Sequence, residues 1–199
     1  MRTLGPMRIQ LCTLDAAMAE AWQVAFAGTA VSIRVGDILA EPVDAVVSAA
    51  NSFGIMDGGL DLHYARHFGE GLERTLRERL AAEHDGELPV GQALIVPTGD
   101  TAIPWMVSAP TMRVPATIDR TTHVYLAFRA ALRAVREHAR DQVPIDSLAC
   151  PALGAGVGAM PFERVARQMR AAYDVCIGGD KTWLRSARGV LNQHAGLMR

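Results

Sequence analysis

A three-layer α/β/α domain around a mostly parallel sheet is what this sequence predicts, and three observations predict it. Short apolar runs bounded by Gly, Pro and Asp alternate along the chain with segments of helical periodicity. Two of the runs, 43–50 and 146–150, end in glycine-bearing loops that lead into helices, as strands of parallel sheets do. The 199 residues are 50% hydrophobic and 21% charged, which suits one globular domain with a full core.

In chain order, strands are expected near Arg8–Leu14, Ala30–Val35, Ala45–Ala49, Gln92–Thr98, Trp105–Ala109 and Ser147–Cys150, several with β-branched residues. Asp15 is placed to cap a helix running to about Phe26. Leu62–His67 and Leu72–Ala82 read as one broken helix or two abutting ones, with Leu72, Leu76 and Leu80 on one face. Thr121 is placed to cap the longest helix, Thr122–Arg140, whose Val124, Phe128, Leu132 and Val135 mark a buried stripe. Pro161 opens another helix, with Phe162, Val165, Met169 and Tyr173 on its inner face. Trp105 and Tyr125 are expected in the core. The whole chain, 1–199, reads as one domain. Residues 176–199 form a tail or a short helix from about Lys181, with no role assigned.

Composition excludes several classes of function. The formal net charge of −1 leaves no electrostatic footprint for general nucleic-acid binding. No apolar run approaches the roughly 18–20 residues of a membrane span. Cys12, Cys150 and Cys176 show no metal-ligand spacing and cannot all pair, so reduced thiols in a cytoplasmic protein are expected.

The chemistry concentrates in the two glycine-bearing loops. The first follows Asn51 and ends in Gly58-Gly59, after which Asp61 opens a helix. The second runs Pro151-Ala-Leu-Gly-Ala-Gly-Val-Gly-Ala-Met-Pro161. Glycine lets phosphate oxygens approach the backbone, and helix N-termini offer unpaired N–H groups with partial positive charge. Two such loops suggest two walls of one phosphate-binding cleft. No Gly-Lys-Ser/Thr occurs, and no GxGxxG with an acid about 20 residues later follows a first strand.

Four linked elements follow one another in this chain: Gly36-Asp37-Ile38, Ser48-Ala49-Ala50-Asn51, Gly58-Gly59-Leu60-Asp61 and Gly154-Ala155-Gly156-Val157-Gly158 before Pro161. In order and spacing they resemble the macrodomain family, which binds ADP-ribose and whose pattern couples a Gly-Asp-Ile turn, a strand ending Asn-Ala-Ala-Asn, a Gly-Gly-Val-Asp helix start and a late Ser-Thr-Gly-Ile-Tyr-Gly loop. The resemblance is strongest over 30–175. It implies a mixed, mostly parallel sheet, and it implies roles residue by residue. Asp37 would accept the adenine amino group and the Ile38 amide would meet the ring. Gly58, Gly59 and Leu60, together with Leu153, Gly154, Ala155, Gly156, Val157, Gly158 and Met160, would surround the diphosphate and distal ribose. Asn51 would contact ribose or hold a water, and Asp61 would position or activate that water; these two are the expected catalytic residues. No cofactor or metal is implied.

The function so implied is binding of ADP-ribose with hydrolysis of ADP-ribosyl esters, either on Asp and Glu side chains or in O-acyl-ADP-ribose. The alternatives are a binding module without turnover and a phosphatase acting on ADP-ribose 1″-phosphate. Expected partners are ADP-ribose or an ADP-ribosylated protein, with no membrane. Departures from the pattern bear on turnover: Ser48 replaces the first Asn, Asp57 adds a negative charge, and Gly154 and Ala155 replace Ser and Thr. His63 and His67 share i, i+4 spacing, which reads as surface histidines rather than a zinc pair with Asp57 or Asp61. Arg113, in the run Ser108–Pro115, is read as structural rather than ligand-binding.

Overall fold

The computed structural model describes residues 7–69, 71–141 and 143–199. Six strands form one sheet: β1 (Arg8–Thr13), β2 (Ser32–Val35), β3 (Ala45–Ser48), β4 (Leu94–Pro97), β5 (Trp105–Ser108) and β6 (Ser147–Pro151), in the order β2-β1-β6-β3-β5-β4. Every neighbouring pair is parallel except β4 with β5, which is antiparallel. The sheet is therefore mixed and mostly parallel. The carboxyl ends of five strands lie along one edge, and the loops that carry Asp37, Asn51 and the run Leu153–Met160 leave from it.

Six α-helices cover the sheet: α1 (Ala16–Ala25), α2 (Gly59–Phe68), α3 (Gly71–His84), α4 (His123–Asp141), α5 (Phe162–Cys176) and α6 (Ala187–Leu197). Strand β3 shows how the layers divide. All four of its residues are buried, with Ala45 and Val47 facing the core shared with α1, α4 and α5, and Val46 facing the core shared with α2 and α3. A strand buried on both faces loses the polar alternation of a surface strand, which is why it reads as a continuous apolar run.

The expected stripes are the buried ones. Leu72, Leu76 and Leu80 of α3 are almost fully enclosed, as are Val124, Phe128, Leu132 and Val135 of α4. Asp15 caps α1, its Oδ1 accepting from the Ala17 and Met18 amides at 2.8 and 3.4 Å. Tyr125 is buried, whereas Trp105 is only partly so and packs edge-on against His138. Gln168 of α5 is fully buried yet fully engaged. Its Oε1 accepts from Tyr125 N at 3.0 Å, and its Nε2 donates to Thr121 O at 2.7 Å and Leu197 O at 3.0 Å. One amide thus ties the start of α4 and the end of α6 to α5.

Two helices differ from the sequence reading by more than one or two residues. Helix α2 begins at Gly59, three residues before the expected Leu62, because glycines conceal a helix start that propensity would not favour. The expected helix near Lys181 is a 3-10 turn, Thr182–Arg185, followed by α6, whose N-cap Ser186 accepts from Gly189 N at 3.0 Å. Among the described residues no helix is long and apolar enough to cross a membrane, and all three cysteines are free.

Candidate active site

A cleft of about 240 Å³ opens at the carboxyl edge where the loops after β3, β5 and β6 meet. Its first wall is Asn51, Ile55 and the run Asp57–Asp61; its second is Pro151, Ala152, Gly154 and the run Gly156–Gly158. Asp57 and Asp61 are its only charged residues among those described. A larger surface groove of about 770 Å³ lies between α2 and α3, but arginines and glutamates alternate along it and no strand end enters it.

Asp61 lies in the first turn of α2, yet it does not cap the helix. Gly58 is the N-cap and makes no side-chain cap bond. Instead the Asp61 carboxylate turns toward the sheet, where Ser48 Oγ donates to its Oδ1 at 2.6 Å. Ser48, the residue that departs from the family's Asn, is thus what holds the acid. Burial pushes the Asp61 carboxyl from its ordinary 3.8 up to about 6, the Ser48 hydrogen bond opposing and the Glu73 charge adding to the rise. A carboxyl tuned into this range exchanges protons near neutral pH, as acid–base catalysis needs.

Asn51 is engaged with its own loop. Its Oδ1 accepts from the Phe53 and Ile55 amides at 3.0 and 3.3 Å, and its Nδ2 donates to Ile55 O at 2.7 Å. Both acceptor positions are filled and one N–H remains for a ligand. The loop it closes ends at the start of α2, where the N–H groups of Gly59, Leu60 and Asp61 donate to no protein acceptor among the described residues.

The second wall is built from backbone. Gly154 has φ +72°, a conformation that favours glycine, and a Cβ there would lie 2.8 Å from Ile118 and Val124 side-chain atoms. A Cβ on Gly158 would lie 2.5 Å from Gly154 O. Hydrogen bonds from Met160 N to Gly154 O and from Ile118 N to Gly158 O hold this shape at 3.1 and 2.8 Å. Gly156 differs: its φ is ordinary and a Cβ would meet nothing within 4 Å. Of the two reasons the sequence offers for a glycine at 156, close backbone approach and an unusual dihedral, the ordinary φ leaves only the first, and the unusual dihedral falls at Gly154. Among the described residues the Gly156, Val157 and Gly158 amides donate to no protein acceptor.

Of the other expected site residues, Leu153 and Met160 have their side chains in the core, and Ala155 packs against it. The Ile38 side chain is buried beside Met56 and Tyr64. Asp37 lies outside the cleft wall, half exposed after β2. Its Oδ1 accepts from Leu39 N at 3.0 Å and pairs with His63 Nε2 at 3.1 Å, and the Leu39 amide, followed by His63, holds its carboxyl below the ordinary range. His67 turns to a different acid, Asp100, at 4.0 Å, so the two histidines do not converge. No group of three or more metal-ligating side chains occurs among the described residues. Arg113 forms a two-pronged ion pair with Glu87 at 2.7 and 3.0 Å and stacks over Phe53. Wall residues the sequence reading did not single out are Ala49, Ile55, Thr111, Met112, Pro115 and Ala152. In the run Ser108–Pro115 the charge of Arg113 is the visible signal, whereas Thr111, Met112 and Pro115 are its residues on the cleft.

A mixed sheet with two amide-rich loops converging on a buried acid defines an α/β domain whose cleft lies at the carboxyl edge of the strands, where open α/β sheets take their ligands. The chain belongs to the Macro domain family, whose sequence profile matches residues 47–169. It is similar to a macro domain-containing protein of Streptomyces coelicolor, at 32% identity over 70% of this chain and 79% of that protein. It is also similar to a DNA ADP-ribosyl glycohydrolase of Thermus aquaticus, at 25% identity over 75% of this chain but only 39% of that protein. Among solved structures, a variant of the Oceanobacillus iheyensis macrodomain with ADPR superimposes with a TM-score of 0.59, at 22% identity over 69% of this chain and 72% of that one.

Proposed function

We propose that this chain binds ADP-ribose in the cleft and hydrolyses ADP-ribosyl esters, in which the terminal ribose is joined to an Asp or Glu carboxyl or to a small acyl group. One observation carries the reading. A carboxyl pushed up to about 6 and held by Ser48 lies in the wall of a cleft otherwise rich in unengaged amides. The amides of 59–61 and 156–158 would hold the diphosphate without a cationic side chain, and Asp37 would read the adenine amine. Asp61, ionised above about pH 6, would take a proton from the attacking water. In an ester at the anomeric carbon, water adds to that carbon as its bond to the ester oxygen breaks, and the carboxylate leaves as a stable anion; in an O-acyl ester, water adds to the acyl carbon and the proton that Asp61 accepted passes to the departing ribose oxygen. The two carboxylates in the wall, and the absence of Arg or Lys among its described residues, favour an ester on a protein or acyl group over a nucleic-acid carrier.

The second reading, a binding module without turnover, is favoured by Asn51, whose carboxamide already closes its own loop. Calorimetry with ADP-ribose beside a release assay on a peptide carrying Glu-linked ADP-ribose tests both. Binding with release supports hydrolysis, and binding without release supports the module. Release from ADP-ribosylated DNA but not from the peptide would replace the ester reading. The Thermus aquaticus relative's name makes that comparison worth running.

A further inference from the structure

We propose that Ser108 is a positioning residue for Asp61, its hydroxyl receiving the Ser48 O–H whenever the Asp61 carboxylate takes up a proton. The proposal rests on the reading of Asp61 as the base of the cleft. It starts from two buried hydroxyls with unequal bonding. Ser48 Oγ donates to Asp61 Oδ1 at 2.6 Å. Ser108 Oγ makes no hydrogen bond among the described residues. Both serines are 1% exposed, so neither hydroxyl turns to bulk water instead. A buried hydroxyl without a partner costs stability, and a second state in which it gains one accounts for its presence.

The sheet sets the two serines side by side. Strands β3 and β5 are parallel, and Ser48 is the register partner of Ser108. The Ala109 amide donates to Ser48 O at 3.1 Å, which pins that register at the strand ends. Two residues earlier, Val46 and Met106 both face the core shared with α2 and α3. Strand residues two apart share a face, so Ser48 and Ser108 both point to the side of α2, the helix that carries Asp61. Neighbouring strands lie about 4.8 Å apart, a gap that two serine side chains close by rotation about χ1.

Charge decides which partner Ser48 takes. A hydrogen bond to a carboxylate is roughly twice as strong as one between neutral groups. With Asp61 ionised, the Ser48 hydroxyl stays on the carboxylate and Ser108 is left over, which is the arrangement seen. Once Asp61 has taken a proton from water, its oxygen is an ordinary neutral acceptor and Ser108 Oγ competes with it. The proton remains on Asp61, and only the Ser48 hydroxyl turns. Ser108 therefore favours the protonated carboxyl, whereas Ser48 favours the ionised one. The other charged groups facing Asp61 are Glu73 of α3, itself paired with Arg77 at 3.8 Å, and Asp57 of the same wall. His63 of α2 pairs with Asp37 instead. Burial pushes Tyr64 of α2 and Cys150 of β6 well above their ordinary values, so both stay neutral. None of these groups changes in the variants below.

The test is an NMR titration of the Asp61 carboxyl carbon, assigned by its absence in Asp61→Asn, with thermal melting of each variant. Ser108→Ala is expected to titrate about half a unit to one unit below the native protein, the equivalent of one neutral hydrogen bond. Ser48→Ala should titrate above the native protein. In that background Ser108→Ala should shift nothing further, because the hydroxyl that links the two positions is gone. The midpoint of the pH–rate profile for release from the Glu-linked substrate should fall in Ser108→Ala by the same amount as the titration, a change that loose packing alone would not produce. An unshifted or higher Asp61 midpoint in Ser108→Ala would overturn the proposal. So would an equal shift with and without Ser48, since the effect would then not pass through that hydroxyl. Should Ser108→Ala melt far below the native protein, Ser108→Cys is read in its place, with a weak acceptor in the same position and the same direction expected. Expected titrations in a native protein that releases no ADP-ribose would overturn the hydrolysis reading and support the exchange of hydrogen bonds, so the two failures are distinct.

Discussion

The two walls of the cleft are made from similar residues and work in opposite ways. The first, 51–61, presents polar side chains, two of them restrained: Asn51 by its own loop and Asp61 by Ser48. The second, 151–158, presents only backbone and apolar side chains, and two of its glycines exist because the protein itself fills the space a Cβ would need. Gly58, Gly59 and Gly156 have open space instead. A glycine count alone therefore does not identify a ligand site. A filled Cβ position marks a packing glycine, and an open one leaves room beside the backbone without saying what fills it.

The comparison is broken most severely at Gly158. Gly158→Ala would drive a methyl group into the Gly154 carbonyl, a backbone atom that cannot swing away. A loss of ~3 kcal/mol or more is expected in denaturant unfolding, the upper range for overpacking. A change below 0.5 kcal/mol would show that the second wall yields easily and is not a rigid frame.

Asp61 gives the next effect, with the opposite sign. Its folded carboxyl is raised above the ordinary value, so the stability it contributes is fully present below about pH 4 and is lost as pH rises through about 6. Asp61→Asn removes the charge while leaving an acceptor for Ser48. Its unfolding free energy at pH 7 should exceed that of the native protein by up to roughly 3 kcal/mol, and the gain should vanish near pH 4. A less stable Asp61→Asn protein at pH 7 would mean that the carboxylate is better solvated than its burial implies.

The smallest effect on the fold, and a large one on binding, is expected at Gly156. The space beside it is open and its φ is ordinary, so Gly156→Glu should melt within about 2 °C of the native protein. Its carboxylate would stand beside the expected diphosphate, and ADP-ribose affinity measured by calorimetry should collapse. Retained affinity would move the phosphates away from the second wall.

Much of this arrangement can be read from the amino-acid order, because local signals and the fold agree. The leucines of α3, the stripe of α4 and the enclosed run of β3 each report burial through their own spacing. The strand ends carrying Asn51 and the loop after Cys150 are marked by glycines that only certain turns require. The pairing of Ser48 with Asp61 is not legible in this way. A serine in place of asparagine looks like a departure from the family pattern, and only the fold shows that it faces the acid thirteen residues later. Thr111 is hidden for a different reason. Its place beside Asn51 depends on β5 lying next to β3, and sequence spacing does not reveal strand order. Gly156 is the reverse case, since its composition suggests strain where the backbone has none.

The claim that Asp61 is the base of a hydrolytic site is tested most directly by the pH dependence of ADP-ribose release from a Glu-linked substrate, corrected for spontaneous ester hydrolysis. For the native protein the rate should rise with pH through an apparent pKa of about 6 and then level off. Asp61→Asn should bind ADP-ribose with near-native affinity and release it at least about 100-fold more slowly, without that inflection. A folded Asp61→Asn protein that keeps the native rate, or a native profile flat from pH 5 to 8, would contradict the account.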